Sequence, residues 1–322
     1  MMILILVQFL TILQLSVAEP LQDDGSGLLD LNYLNVLNYS SYTEQLKINR
    51  ENDYYQNLFK INTDIDDDLS LIVKGNTARR GQLPYQVALL CMVQPRYGFL
   101  CCGGSLISTK YVLTAAHCVD NLSKYVGLAV TLGGVDLSRS EANRLTVKVS
   151  LSDIKIHEKY SSTLYNDDIA LIKLPYNIEP TTYYSVVDLP TYYEGMNPSA
   201  AVGRTATVSG WGRTTDSSDK SSKVLQYGYM TVISNAACAS SYQAAKYRIT
   251  SSQLCAAVTY DANICNGDSG GPLVVSNKRN VLMGVVSIGA SKCELGFPSA
   301  FTRVSYYLDW IARNSDIAID WI

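Results

Sequence analysis

From Ile72 onward the sequence predicts an all-β protein. Three observations point there: short apolar or alternating runs recur between turn-like clusters, the stretch is long enough for one large or two small β-domains, and it holds all eight cysteines. The elements follow in chain order.

The first 18 residues are an apolar run, broken by Gln8, Thr11 and Gln14 and closed by Ser16-Val17-Ala18. This is the outline of a secretory signal peptide cut after Ala18, with the Met1 amine as its only positive charge. A membrane-spanning helix needs about 20 apolar residues, which the run barely approaches. Residues 19–71 are acidic, rich in Asn, Tyr and Asp, and show neither helical nor alternating apolar periodicity. They read as a detachable leader and carry eleven acidic and three basic side chains. That net of −8 within a chain of −3 leaves +5 for residues 72–322. The positive charge is spread out, without the basic stripe that nucleic-acid binding requires.

Beyond Leu71 the strand-like runs are "YQVALLCMV", "YVLTAAHCV", "LTVKVSL", "IALIKL", "TATVSGWG", "VLMGVVSIG" and "AFTRV". Tyr307, Trp310 and Ile311 at helical spacing, with Ser305 as N-cap, predict a short C-terminal helix. An even cysteine count behind a signal peptide reads as disulfides formed in an oxidising compartment. Zinc is disfavoured, since no Cys-x-x-Cys spacing occurs and the chain has two histidines. No metal or other cofactor is expected, and "GGVDLSRSEAN" lacks the carboxylates of a calcium loop.

Three pieces carry chemistry: "LTAAHC", "YNDDIALIKL" and "CNGDSGGP". A hydroxyl attacks a carbonyl poorly at neutral pH unless a base takes its proton, and imidazole has a suitable pKa. The imidazole needs a carboxylate to fix its tautomer and stabilise the imidazolium. His117, Asp168 and Ser269 supply base, orienter and nucleophile. Ser269 alone would pass for a turn serine. Gly267, however, lets its own N–H and that of Ser269 converge on one point, as an oxyanion requires. His157 sits among charged residues and reads as a surface-loop histidine. Of the two adjacent carboxylates, Asp168 precedes an apolar run and is expected to be buried, with Asp167 solvated.

Together with "PYQV", "CGGSLIS", "SGWG" and "FTRV", these motifs resemble the chymotrypsin-like family of secreted serine endopeptidases, in an arthropod-type zymogen form. The resemblance spans Ile72 to about Asn314. It implies two six-stranded antiparallel barrels with His117 and Asp168 on the first and Ser269 on the second. It also implies disulfides Cys102–Cys118, Cys238–Cys255 and Cys265–Cys293. Cys91 and Cys101 remain, and "CMVQPRYGFLC" reads as a hairpin whose ends pair.

"IVKG" resembles the family's mature start, so Leu71–Ile72 is the expected activation bond. The new Ile72 ammonium would pair with Asp268 and draw the Gly267 amide into place. Leu71 replaces the basic residue usual before that bond, which points to an activating protease that prefers apolar residues, or to the enzyme itself. The resemblance further implies that Asn263, six residues before Ser269, takes the position of the family's specificity-pocket floor, with walls near Gly289 and Ser299 and Ser287 to Gly289 as the strand that binds substrate main chain. Without a carboxylate at the floor, neutral apolar or aromatic side chains are expected, because an unpaired substrate cation is costly to bury. The expected partners are protein or peptide substrates, protein protease inhibitors and an activating protease, with no nucleic acid and no membrane, for a secreted monomer. The rival reading is a non-catalytic homologue that keeps the barrels as a binding protein.

Overall fold

The computed structural model describes residues 29–30, 36–37, 75–94, 97–217, 220–242, 247–259, 263–290 and 292–321. The expected signal peptide and both residues of the expected cut, Leu71 and Ile72, lie outside them. Two antiparallel barrels make up the fold. The first uses β4 (Gln86–Gln94), β5 (Tyr97–Leu106), β6 (Tyr111–Thr114), β7 (Gly127–Leu132), β8 (Leu145–Val149), β9 (Ile154–Ile156) and β10 (Ala170–Lys173). Strand pairing runs β8-β7-β4-β5-β6-β10-β9. Because β8 and β9 are separated only by a 3-10 turn at Leu151–Asp153, they act as halves of one bent strand and close a six-stranded barrel. The second barrel comprises β11 (Thr205–Gly210), β12 (Gln226–Ile233), β13 (Gln253–Val258), β14 (Pro272–Ser276), β15 (Asn280–Ile288) and β16 (Ser299–Arg303). It runs β11-β14-β15-β16-β13-β12 and closes through a β11–β12 pairing.

The burial patterns explain why the sequence reads as it does. β12 alternates buried and partly exposed residues, the mark of a strand with one face to a core. β4 has no such alternation, since Gln86 to Met92 are all buried. One face, Val87, Leu89 and Cys91, lines the first barrel. From the opposite face Ala88 packs with Trp211 and Leu225 of the second barrel. The seam is also polar: Ser209 Oγ donates to Gln86 Oε1 at 2.6 Å and Trp211 Nε1 to the Val135 carbonyl at 2.9 Å. A rigid seam matters here because the crevice beside it holds the site.

Four residues of the expected leader are also paired. β1 (Leu29–Asp30) runs antiparallel to Tyr97–Gly98 of β5, and β2 (Val36–Leu37) runs parallel to Thr146–Val147 of β8. Strand addition uses backbone groups, so it needs no side-chain periodicity. Past the expected cut, β3 (Asn76–Thr77) pairs with Gln226–Tyr227 of β12.

One expectation is corrected and a second is refined. The C-terminal helix spans Leu308–Asn314 and is preceded by a 3-10 turn at Val304–Tyr306 that contains Ser305, so its N-cap is Tyr307 and Ser305 does not cap it. His157 lies in the loop after β9 as expected but is half-buried there: its ring lies 5.3 Å from Tyr307 and 5.1 Å from Trp310, and burial lowers its pKa.

Candidate active site

His117 sits in a 3-10 turn, Ala116–Cys118, directly after β6. Cys118 of that turn is bridged to Cys102 on β5, with the Cα atoms 6.0 Å apart, so the histidine rides on a segment stapled to the barrel. Asp168 precedes β10 and is 1% exposed. Its Oδ1 accepts from the His117 backbone N–H at 2.9 Å, and its Oδ2 lies 2.8 Å from His117 Nδ1. A carboxylate can only accept, so in the neutral imidazole the proton sits on Nδ1 and Nε2 keeps its lone pair. Asp167 is half-buried rather than fully solvated, and accepts from the Tyr307 hydroxyl at 2.9 Å.

Two contacts on Asp168 had no signal in the sequence. Ser287 Oγ donates to Oδ2 at 2.6 Å, and Thr302 Oγ1 donates to the Asp168 backbone carbonyl at 2.6 Å. Ser287 and Thr302 belong to β15 and β16, so the second barrel positions a carboxylate of the first. Tyr165, with φ 51°, sets its ring edge-on to His117 at 5.7 Å.

Ser269 occupies the turn before β14. Its carbonyl accepts from Gly103 N–H of β5 at 2.7 Å, while Gly270 N–H donates to Val286 of β15 at 2.8 Å. The turn is thus tied to both barrels. Gly270, at φ 76°, presses on the segment that bears His117, where a Cβ would stand 3.1 Å from Cys118 Sγ. Gly267, at φ 101°, adopts the left-handed region that only glycine enters readily.

Asp268 is fully buried. Its oxygens accept from the backbone N–H groups of Gly212 and Cys265, each at 2.8 Å. Burial pushes its pKa up to about 6, and these two hydrogen bonds only partly oppose the rise.

Asn263 is buried and its amide is fully used. Nδ2 donates to the carbonyls of Cys293 and Phe297 at 3.1 and 3.2 Å, and Oδ1 accepts from Ile264 N–H and Ser299 Oγ at 2.9 and 3.1 Å. A Cβ at Gly289 would meet Ile264 and Ser299 Oγ at 3.7 to 3.9 Å, so Gly289 lies against Ile264 and Ser299. Glu294 is exposed and accepts from Asp216 N–H.

The described cysteines form four disulfides, Cys91–Cys101, Cys102–Cys118, Cys238–Cys255 and Cys265–Cys293. Two clusters have metal-like spacing, Cys102/His117/Cys118 and Asp216/Cys265/Cys293, but their sulfurs are crosslinked and offer no thiolate.

Residues 72–311 match the Trypsin family. Brachyurin of Leptuca pugilator is 38% identical over 247 residues, covering 76% of this chain and 99% of that protein. Chymotrypsin of Phaedon cochleariae is 38% identical over 246 residues, 76% of this chain and 82% of the relative. Among solved structures, HL collagenase superposes with a TM-score of 0.65 at 37% identity, covering 77% of this chain and all of that one.

Proposed function

Because this chain belongs to the trypsin family of serine endopeptidases, we propose that His117, Asp168 and Ser269 form its catalytic triad. The contact between His117 Nδ1 and the buried Asp168 carboxylate carries this reading. Ser269 Oγ attacks the scissile carbonyl as Nε2 of His117 takes its proton. The N–H groups of Gly267 and Ser269 hold the resulting oxyanion. Collapse expels the amine, which leaves with the proton from His117, and the acyl group stays on Ser269. Water, deprotonated by the same imidazole, then releases the acid and restores the hydroxyl. Labelling with a serine-directed organophosphonate tests the assignment. A single adduct on Ser269, absent after His117→Ala, is expected; an unlabelled Ser269 in the mature protein would favour the non-catalytic binding homologue.

The precursor is a secreted zymogen activated by cleavage after Leu71. Asp268 supports this, as a buried carboxylate held by two N–H donors, with no cation acting on it among the described residues, is suited to receive an ammonium. The Ile72 terminus supplies that charge, and its aliphatic side chain costs nothing to bury. Incubated alone, the Ser269→Ala precursor should stay uncut if the enzyme activates itself.

Asn263, Ser299 and Gly289 define a neutral specificity pocket. The Asn263 amide has all its hydrogen bonds satisfied within the protein, so the floor offers a substrate no charge and no free polar group. Cleavage therefore falls after Leu, Met, Phe or Tyr, and Leu71 meets the same requirement. Ser287 to Gly289 pair with the substrate main chain as an added strand. Natural partners are protein or peptide substrates and protein inhibitors, and the mature enzyme is a monomer. Among the described residues no helix is long and apolar enough to cross a membrane.

A further inference from the structure

We propose that in the uncut chain the acidic leader is docked on the first barrel by strand addition, and that cutting after Leu71 releases it. Two separate edges are covered. β1 pairs with the start of β5 on the side that β4 leaves open, since β4 meets the same Tyr97 and Gly98 from its own side. β2 pairs with β8, whose other side is taken by β7. Open strand edges present unpaired N–H and C=O groups that recruit other chains, so covering them protects the precursor from misassembly.

The run that contains the scissile bond is flanked by a pairing on each side. Leu37 is strand-paired on the first barrel and Asn76 on the second, and Leu71–Ile72 lies between these anchors. The leader is therefore held at one end by its own pairings and at the other by its covalent link to the catalytic domain. Charge favours the docked arrangement, −8 on the leader against +5 on the rest.

Magnitudes decide what happens on cutting. Two pairings of two residues each supply only a few backbone hydrogen bonds, which between separate molecules correspond to roughly millimolar binding. A covalent tether supplies an effective concentration of about the same order. At these magnitudes docking is populated in about half of the whole chains, and it is lost at micromolar concentration once the chain is cut. The release step rests on the proposed cut after Leu71; the docking step does not.

The test uses the full chain carrying Ser269→Ala, compared with the same chain carrying Leu29→Pro, Asp30→Pro, Val36→Pro and Leu37→Pro. A single proline can be tolerated at the start of an edge strand, but with all four in place neither leader strand has a backbone N–H left to donate, and the barrels' own residues are untouched. Amide hydrogen exchange should quicken about twofold in segments 97–98 and 145–149 of the proline chain, while 170–173 stays protected. Equal exchange in the two chains would overturn the docking. Brief treatment of the Ser269→Ala chain with an added protease of apolar preference should then give a free leader on size exclusion, and exchange at both edges should rise to the proline level. A leader that still co-elutes with the domain at micromolar concentration would overturn release by loss of the tether. Cleavage elsewhere than Leu71 would count against the activation site alone, with docking already judged by exchange.

Discussion

Ser287 Oγ donates to Asp168 Oδ2 across 2.6 Å, to the oxygen that also meets His117 Nδ1 at 2.8 Å. One carboxylate oxygen thus couples the imidazole on the first barrel to β15 on the second. The hydroxyl both stabilises the charged carboxylate and aims it, because a second donor narrows the directions in which Oδ2 can meet the ring. Ser287→Ala removes that donor while the His117 backbone N–H still holds Oδ1. The expected outcome is a fall in kcat of about tenfold, the size of one hydrogen bond to a charged group, with KM for a short ester little changed. Steady-state kinetics on the activated enzyme decides it.

The pocket floor yields a prediction opposite to the simplest one. Changing Asn263 to Asp would seem to create a site for Lys or Arg. The two carbonyls of Cys293 and Phe297 now receive the Asn263 amide N–H groups, and a carboxylate would point acceptors at acceptors. Asn263→Asp should lose roughly 2 to 4 kcal/mol of stability, from two unmade buried hydrogen bonds, without efficient cleavage after Lys. Thermal unfolding and a peptide panel test both halves.

In the proposed pocket Ser299 would limit the depth, since its hydroxyl is buried against Asn263 Oδ1 at the proposed floor. In Ser299→Gly the ratio of kcat/KM for Tyr over Leu substrates should rise about tenfold or more, the scale of a pocket change of one or two heavy atoms. An unchanged ratio would show that another residue limits depth.

The Cys91–Cys101 bridge closes a loop of sequence separation 10 between adjacent strands β4 and β5. Replacing both cysteines by serine should cost about 2 to 3 kcal/mol by freeing the unfolded chain. Activity on small substrates should persist at 25 °C, because Gly103, whose N–H holds the Ser269 carbonyl, lies beyond the hairpin on β5. Denaturant unfolding of the double variant gives the stability term.

Some of this was written locally in the sequence and some was not. His117, Asp168 and Ser269 each sit in a short motif whose neighbours serve the same chemistry, so their types and spacing could be read without coordinates. Asp168 was legible as the buried member of its pair from the apolar run after it. The Ser287 and Thr302 contacts join residues more than a hundred positions apart, and no local pattern announces them. Ser305 misled because a 3-10 turn and the start of an α-helix share their polar signals, while tertiary packing of Tyr307 and Leu308 sets where the helix begins. His157 was legible as a loop residue from its charged neighbours, but not as half-buried, because the aromatic partners that cover part of it come from the chain's end. The leader's strands left no trace in side-chain pattern, since they pair through backbone.

Asp268 gives a pH prediction that differs between precursor and mature enzyme. In the precursor, burial raises its pKa from the usual 3.8 to about 6, so the folded state binds the proton more tightly than the unfolded one. The stabilisation is fully present below the unfolded value and is lost as pH rises through about 6, on the order of 3 kcal/mol for a shift of this size. Precursor stability should therefore fall between pH 4 and 6, and Asp268→Asn should remove that slope. In the mature enzyme the Ile72 ammonium would favour the charged carboxylate and offset the penalty. Activity should then decline above pH of about 8 as the amine, whose reference value lies near there, loses its proton and leaves Asp268 unpaired again. The partnership itself raises the amine's folded pKa, so the decline should set in later than for a free amine. Denaturant titrations of the Ser269→Ala precursor, with and without Asp268→Asn, and pH profiles of kcat/KM for the activated enzyme measure both arms. A precursor whose stability is flat from pH 4 to 6 would contradict the burial argument, and undiminished activity well above the amine's pKa would contradict the pairing.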